Sequence, residues 1–205
     1  MNVYIWTDQW AHWKNTVAYY PLTSTTTVND LSGNNRNLTN YNWVAFGTYA
    51  GVDCASFTWN KMILYHSDFP ARWYGDCTIS CWMYTTSNSM QIVLALWTSE
   101  ENVLELLIEN WYIAPYIAPV TLNTWHHITY VIDSNHLIMY VDGIQVYNVT
   151  YNVNNGKSLW IWRQTYDDDA NYLWYINEVI IENRARTAEQ VVWYYNQTKS
   201  LYWIS

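Results

Sequence analysis

Glycine is scarce in this chain. Only six of its 205 residues are glycine, whereas tryptophan occurs fifteen times. Typical glycine usage of about 7% would give about 14 residues, and a β-rich chain with many turns needs at least that many. Several tryptophans stand where a turn favours a residue without a side chain, although an indole is poorly suited to a positive φ. These include Trp59, Trp73, Trp97 and Trp111.

This imbalance has two interpretations. In the first, the source is a bacterial lineage that reads UGA as glycine, and many of the tryptophans are glycines decoded with a table that assigns UGA to tryptophan. In the second, the tryptophans form an aromatic-rich binding surface. Twelve replacements would leave 18 glycines and three tryptophans, both ordinary values, and UGG codons at those positions would exclude the first interpretation. The twelve are Trp6, Trp10, Trp13, Trp43, Trp59, Trp73, Trp97, Trp111, Trp162, Trp174, Trp193 and Trp203.

Charge is scarce as well. Charged residues make up 13% of the chain, about half of the roughly 25% that is usual for soluble domains. The net charge is −8 and no Lys/Arg cluster exists, which excludes nucleic acid as a partner because nothing neutralises its phosphates. No apolar run approaches the roughly 18 residues of a membrane span, so we expect no membrane insertion.

The N-terminus has neither a basic start nor a continuous apolar stretch, and therefore lacks the features of a secretory signal. We expect any export signal to lie in an upstream part of a larger polypeptide. No composition break divides the chain, so we expect one domain over residues 15–199, with a linker or tail at 1–14 and a tail at 200–205.

Three cysteines, Cys54, Cys77 and Cys81, lack metal-ligand spacing. On one strand Cys77 and Cys81 would share a face about 13 Å apart, too far for a bond. Cys54 could pair with either, but small buried hydrophobic residues are the favoured interpretation for all three.

The stretch from Trp125 to Thr150 predicts a three-stranded antiparallel meander. Turns at 133–135 and at Asp142-Gly143 separate runs of β-branched and aromatic residues, and an Asp-Gly pair favours the positive φ values of a type I′ hairpin. Leu137, Met139 and Val141 would share one face, with Ile138 and Tyr140 on the other. Both faces are apolar, so we expect both to be covered, as in a sandwich.

Further strands are predicted along most of the chain, and one helix near its end. For 100–108 an amphipathic helix is the alternative to a strand, and Thr187 with Gln190 matches a capping box that starts a helix through about residue 195. Many strands and one terminal helix predict an all-β, two-sheet antiparallel sandwich. The predicted strands are 17–22, 43–46, 53–58, 61–65, 77–84, 91–96, 103–109, 158–163 and 172–182.

Six motifs, in their order along the chain, resemble the laminin-G-like modules of the concanavalin A-like lectin/glucanase superfamily. The resemblance covers about residues 16–197. It implies a jelly roll whose concave face or rim loops bind saccharides, sometimes through Ca²⁺, on larger surface proteins, enzymes or phage particles. Asn177 stands where the family commonly has Asp, and Trp162 and Trp174 stand where it has glycine. The motifs begin at Val17, Asn29, Cys77, Asn123, Leu137 and Ile176.

No catalytic constellation is evident, and we predict that the chain is not an enzyme. Glycoside hydrolysis needs two carboxylates about 5 to 9.5 Å apart. Glu105 and Glu109, or Glu178 and Glu182, are four apart on predicted strands, which separates their backbones by about 13 Å, so we interpret them as solvated. The adjacent His126 and His127 point to opposite faces and cannot share a metal. We expect one to be buried and the other to lie on the surface.

The candidate ligand-binding residues are aromatic or cationic side chains in or beside loops, with core packing as the alternative for each aromatic. They are Tyr112, Tyr116, Arg163, Tyr166 and Tyr172. An acidic run, Asp167, Asp168 and Asp169, could offer oxygen ligands to Ca²⁺, with Asp53 and Asp76 as possible partners.

Three functions remain open from the sequence. The first is a non-catalytic recognition module of an extracellular, cell-surface or virion protein that binds a glycan or a protein. The second is a structural or adhesion spacer without sugar binding, and the third a glucanase-like hydrolase. An aromatic-floored groove would favour the first, a flat apolar face the second, and paired acids in a groove the third.

Overall fold

The fold is taken from a computed structural model of the whole chain. The residues that it describes are 14–58, 62–67, 76–86, 91–97, 104–109, 112–113, 118–134, 136–150, 158–162 and 174–203.

Fifteen strands and one α-helix make up the described part of the chain. The strands are β1 Thr16–Tyr20, β2 Thr39–Tyr41, β3 Ala45–Tyr49, β4 Val52–Phe57, β5 Ile63–His66, β6 Cys77–Thr85, β7 Gln91–Trp97, β8 Leu104–Glu109, β9 Tyr112–Ile113, β10 Ala118–Pro119, β11 Trp125–Asp133, β12 His136–Val141, β13 Ile144–Thr150, β14 Ser158–Trp162 and β15 Trp174–Glu182. The helix α1 is Ala188–Thr198, and a 3-10 helix at Lys199–Tyr202 follows it.

Two antiparallel sheets form a sandwich. The larger has eight strands in the order β13-β12-β11-β6-β15-β4-β3, with β1 paired to β15 beside β4. The smaller has seven in the order β10-β9-β8-β7-β14-β5-β2. The predicted all-β jelly roll with one C-terminal helix is therefore confirmed.

The longer predicted strands are found close to their expected bounds, and 104–109 is a strand rather than part of a helix. Three short strands are missing from the prediction: β2, β9 and β10 have only two or three residues each. A period of two needs more residues than that to become visible in a sequence.

The meander forms as predicted. Asp142 and Gly143 have φ values of +52° and +77°, as a type I′ hairpin requires. Leu137, Met139 and Val141 pack in the core between the sheets. Ile138 and Tyr140 lie on the outer face, where Val191 of α1 covers Tyr140. Both faces of the larger sheet are thus covered.

The three cysteines are free and buried, as expected. Cys77 and Cys81 lie in the core between the sheets, whereas Cys54 belongs to an aromatic cluster on the outer face. Because the larger sheet separates Cys54 from the other two, no disulfide can join them. Burial raises the pKa of each thiol to about 12, so none is a reactive thiolate.

The helix begins with the predicted capping box. The Thr187 hydroxyl accepts from Gln190 N at 3.3 Å, and Thr187 N donates to Gln190 Oε1 at 3.1 Å. The packed region continues past α1, because Tyr202 in the 3-10 helix is 4% exposed. Within the expected C-terminal tail, 200–205, the Tyr202 side chain is therefore packed against the sandwich.

We predict that Thr187→Ala lowers the free energy of unfolding by about 1 kcal/mol, the typical cost of losing an N-cap. The measurement is urea denaturation followed by circular dichroism. Thr150→Ala, at an exposed position of β13, serves as the control and should leave the midpoint unchanged. Equal midpoints for Thr187→Ala and the unmodified protein would show that the capping box does not stabilise this helix.

Candidate functional site

Aromatic side chains join α1 and the 3-10 helix to the outer face of the larger sheet. The Tyr202 ring stacks on Trp82, with centroids 3.9 Å apart and planes 13° apart, and meets Trp125 edge-on at 5.2 Å. Tyr195 stacks on the same Trp82 at 5.8 Å. Trp82 and Trp125 are buried, so the indoles of both belong to the framework.

A β-bulge in β15 directs two polar side chains toward this layer. The register between β15 and β6 shifts between Asn177 and Ile180, and Glu178 has a φ of +56°. Asn177 Nδ2 donates to the carbonyls of Pro21 and Asp53, at 2.5 and 2.9 Å. The Tyr202 hydroxyl donates to Asn177 Oδ1. This position, where the resemblance leads one to expect Asp, therefore bridges β1, β4 and the C-terminal segment.

Glu178 lies among tyrosines. The Tyr19 hydroxyl donates to Oε1 at 3.4 Å, and the Tyr202 hydroxyl oxygen lies 3.5 Å from Oε2. Burial raises the pKa of the Glu178 carboxyl. Hydrogen bonds from Tyr194, Tyr19 and Tyr202 lower this pKa, but they offset only part of the rise. Glu178 is half-buried rather than fully solvated as expected, because the sequence pattern does not show that the C-terminal segment covers part of this face.

Glu182 is buried as well, at 0% exposure. Arg186 Nε donates to Glu182 Oε2, and Arg184 Nη2 donates to Oε1 at 3.2 Å. The Arg186 guanidinium also lies 4.9 Å from the centroid of the Tyr194 ring. The prediction of a solvated Glu182 is therefore wrong. Its two oxygens are used in ion pairs that fix the segment between β15 and α1.

The two histidines are both buried, at 7% for His126 and 1% for His127, so the prediction of one surface histidine is wrong. His126 Nδ1 lies 2.7 Å from Asp142 Oδ2. Its Nε2 accepts from Thr121 N at 3.1 Å. With both ring nitrogens occupied, His126 links the β12–β13 hairpin to the segment before β11 and is not poised as a general base.

His127 faces the opposite way, under α1. Its ring lies 5.0 Å from that of Trp82 and 5.3 Å from that of Tyr194. The Thr129 hydroxyl lies 3.4 Å from Nδ1, and Nε2 has no hydrogen-bond partner among the described residues. Burial, with the Arg186 cation nearby, lowers the pKa of His127 to about 3, so the imidazole is neutral.

Asp30 organises the loop between β1 and β2. It accepts from the backbone of Tyr19 at 3.0 Å, Ser32 at 2.9 Å and Arg36 at 3.0 Å, and from the Ser32 hydroxyl at 2.9 Å. Burial alone raises the pKa of Asp30, but these hydrogen bonds outweigh it, and the pKa lies below its ordinary value. The turn motif that begins at Asn29 therefore has a structural role.

The possible calcium partners from the rest of the chain are separated. Asp53 accepts from the backbone and the hydroxyl of Ser24, both at 2.8 Å. Asp76 accepts from Ser134 N at 3.0 Å, beside the start of β6. Within the described ranges no group of three or more His, Cys, Asp or Glu side chains could hold a metal ion.

The strand ends that flank seven connecting segments lie at one end of the sandwich, which we call the loop end. Tyr41 pairs with Ile63, and Ile63 with Trp162. On the larger sheet Trp174 pairs with Phe57 and Thr85. Short connections between the sheets bring these strand ends to one end. The segments are 42–44, 58–62, 86–90, 110–111, 120–124, 142–143 and 163–173.

A row of tyrosines lies on the larger sheet at the loop end. The Tyr175 ring stacks on Tyr49 at 5.2 Å with planes 9° apart, and lies 5.5 Å from Tyr84 on its other side. Tyr49 and Tyr84 are half-buried. Tyr41, at the end of β2, is 55% exposed.

The predicted ligand-binding residues are placed only in part. Tyr112 begins β9 opposite Glu109, and this pair lies at the loop end. Tyr116, Arg163, Tyr166 and Tyr172 lie outside the described residues, as do Asp167, Asp168 and Asp169. The segment 163–173 nevertheless leaves β14 and enters β15 at the loop end.

Sequence reasoning misses Tyr41, Tyr49, Tyr84 and Tyr175 as candidates. The sequence contains 20 tyrosines, and only strand pairing shows which of them lie together. Tyr84 pairs directly with Tyr175, across 91 positions of sequence, and nothing local marks that contact.

A laminin G family model, described as the concanavalin A-like lectin/glucanases superfamily, matches residues 63–192. The chain belongs to this superfamily. Among curated proteins, no sequence matches it significantly. The superfamily assignment agrees with the two-sheet sandwich and the terminal helix.

Solved structures with the same fold include binding domains of clostridial neurotoxins. The botulinum neurotoxin serotype D binding domain superposes with a TM-score of 0.73 at 13% identity, covering 91% of this chain and 53% of its own. Type C, whose cell entry is described as dependent on interaction with two ganglioside molecules, gives 0.72 at 11%, covering 92% and 52%. Type DC, in complex with rat synaptotagmin II, gives 0.71 at 11%, covering 90% and 52%.

At these identities the similarity concerns the fold, and this chain spans about half the length of each of these three proteins. No helix in the described ranges combines the length and hydropathy that a membrane crossing requires.

We predict that His127 makes the domain acid-sensitive. Its pKa is about 3 in the folded protein and about 6.5 in an unfolded chain, so the unfolded state binds the extra proton between these values. The stability from neutral His127 is full above about pH 6.5 and falls by on the order of 4 kcal/mol as the pH drops toward 3.

The measurement is urea denaturation at a series of pH values for the unmodified protein and His127→Phe, with His136→Phe as the exposed control. His127→Phe should flatten the decline below pH 6.5, and His136→Phe should retain it. A decline that survives in His127→Phe would contradict the assignment.

Proposed function

We propose that this domain is a non-catalytic recognition module that binds glycans through its loop end. The observation that carries the proposal is Tyr41, which is exposed at the loop end of the smaller sheet. On the larger sheet, half-buried Tyr49 and Tyr84 lie beside Tyr175. An aromatic ring offers an apolar surface to the C–H face of a sugar, and its hydroxyl a polar contact. The predicted residues Tyr112, Tyr166, Tyr172 and Arg163 would extend this surface from neighbouring segments.

The buried acids of the described region support a role without catalysis. Asp30 binds backbone groups, Glu182 pairs with two arginines, and half-buried Glu178 contacts tyrosines of β1 and of the C-terminal segment. A glycosidase requires two carboxylates that flank a sugar in an open cleft. In the described region these acids are used to hold the sandwich together.

The partners named for the structural neighbours fall into two chemical classes. One is described with gangliosides and another with synaptotagmin, a glycolipid and a protein. The tyrosines and polar segments of the loop end favour the glycan for this chain. Such a role suits an extracellular, cell-surface or virion location within a larger polypeptide.

Calcium is an optional component of this proposal. The run Asp167 to Asp169 lies in the segment that joins β14 to β15 at the loop end, and carboxylate oxygens are the ligands Ca²⁺ prefers. Asp76 cannot assist, because it precedes β6 at the opposite end, roughly 30 Å away along the strand.

We predict that Tyr41→Ala weakens glycan binding at least tenfold, about the effect of removing an interface residue worth more than 1 kcal/mol. The ligand is first selected on an array of neutral and acidic glycans, with Ca²⁺ or with a chelator. The affinities of the unmodified and variant proteins are then measured by calorimetry. Tyr41 is 55% exposed, so its loss should leave the thermal midpoint unchanged.

The control is Leu31→Ala, at a position of similar exposure, 46%, beside β1 and away from the loop end. It should bind as the unmodified protein does. Equal affinity of Tyr41→Ala and Leu31→Ala would contradict the proposed surface. Absence of binding to every glycan on the array would favour a spacer or adhesion role instead.

A further inference from the structure

The loop end carries few cations. The chain has nine Lys and Arg residues, and only Lys61 and Arg163 fall within the seven connecting segments, which also contain four carboxylates. One of these, Asp142, is already bound to His126. The whole chain carries a net charge of −8, so its field repels an approaching anion. The other three carboxylates belong to Asp167, Asp168 and Asp169.

Uncharged polar residues dominate these segments. Together they contain six Asn, one Gln, two Ser and five Thr. Amides and hydroxyls both donate and accept hydrogen bonds, as sugar hydroxyls do. A sulfate, phosphate or carboxylate on a ligand would instead need cations to compensate for its desolvation.

We infer that the loop end selects uncharged glycans, an inference that rests on the proposed function. Its recognition comes from tyrosine rings with amide and hydroxyl groups. An anionic substituent lowers affinity because the connecting segments carry only two cations against four carboxylates. Like-charge contact is one of the common ways in which a surface excludes the wrong partner.

The test compares matched oligosaccharides that differ only in one sulfate or sialic acid, in a chelating buffer, by calorimetry. We expect the neutral member to bind at least tenfold tighter. We also expect its affinity to change little between about 0.01 and 1 M salt. The double variant Lys61→Gln/Arg163→Gln should bind the neutral member as well as the unmodified protein does.

Tighter binding of the anionic member, lost in the double variant, would overturn this inference and leave glycan binding intact. Binding to neither member of any pair, after a blank array, would instead remove the proposed function.

A second inference concerns the residue at position 43. In three places two successive residues have positive φ, the requirement of a type I′ turn: Ala50-Gly51, Asp142-Gly143 and Asn42-Trp43. The second residue is glycine in the first two. Asn-Gly is a preferred pair for this turn, whereas a bulky residue at positive φ is an outlier. Trp43 is also 89% exposed, so its indole gains almost no burial.

Position 203 shows the same conflict. Trp203 ends the 3-10 helix with φ +62° and ψ +22°, and its N–H donates to Lys199 O. A left-handed residue that closes a helix is usually glycine. The Trp203 side chain is 79% exposed. A Cβ added to Gly51 would lie only 2.6 Å from the Nε1 atom of Trp203.

We propose that the natural protein carries glycine at positions 43 and 203, inserted at UGA codons. This accounts for two of the tryptophans, at positions where the backbone itself favours glycine. The same argument does not apply to Trp174, because its side chain is buried in the core and only 1% exposed. Glycine at position 43 would also remove the exposed Trp43 indole from the loop end and leave recognition there to the tyrosines.

The decisive observations are the two codons and the mass of the peptides from the natural protein that contain these positions. UGA codons and glycine masses are expected, and UGG at both codons would overturn the proposal.

Substitution in the protein that carries tryptophan at both positions provides an independent test. Trp43→Gly and Trp203→Gly should each raise the folding equilibrium constant up to several-fold, because relief of left-handed strain exceeds the flexibility that glycine adds. Trp82→Gly and Trp125→Gly remove buried rings and should lower stability. Losses of stability at 43 and 203 that match those at 82 and 125 would contradict the proposal.

Discussion

The structure depends on the covering of the larger sheet on both faces. One face packs against the seven-stranded sheet, and the other lies under α1 and the 3-10 helix, where Tyr202 stacks on Trp82. This second layer buries His127 and covers part of Glu178. Because a buried charge without a partner is costly, the carboxyl takes a raised pKa, and the histidine stays neutral.

This covering also decides where recognition takes place. Polar groups under the helix are committed to internal contacts, as the bridge from Asn177 to Pro21 and Asp53 illustrates. The connecting segments leave the sheets at strand ends, away from this layer. A sandwich of this kind therefore presents variable chemistry at its ends while its faces stay closed.

The fold was largely predictable because its signals are local. The Asp142-Gly143 turn, the alternation in β12 and the Thr187 capping box each depend on a few neighbouring residues. The burial of Glu182 and His127 was not predictable, since alternation marks a polar residue as outward-facing and does not show what covers that face. Strands as short as β9 leave no periodic pattern.

The candidate site was less predictable than the fold. Loop aromatics such as Tyr112 can be recognised in the sequence, but their grouping depends on strand register between distant segments. Tyr49 reaches Tyr175 because β3 pairs with β4 and β4 pairs with β15. That pairing cannot be derived from residues near Tyr49.

Hydrogen exchange with and without bound glycan tests most directly whether this domain recognises its ligand at the loop end. The account predicts that binding slows exchange in the segments around residues 42–44 and 120–124, while α1 exchanges at an unchanged rate. Protection centred on α1, with the connecting segments unaffected, would contradict it.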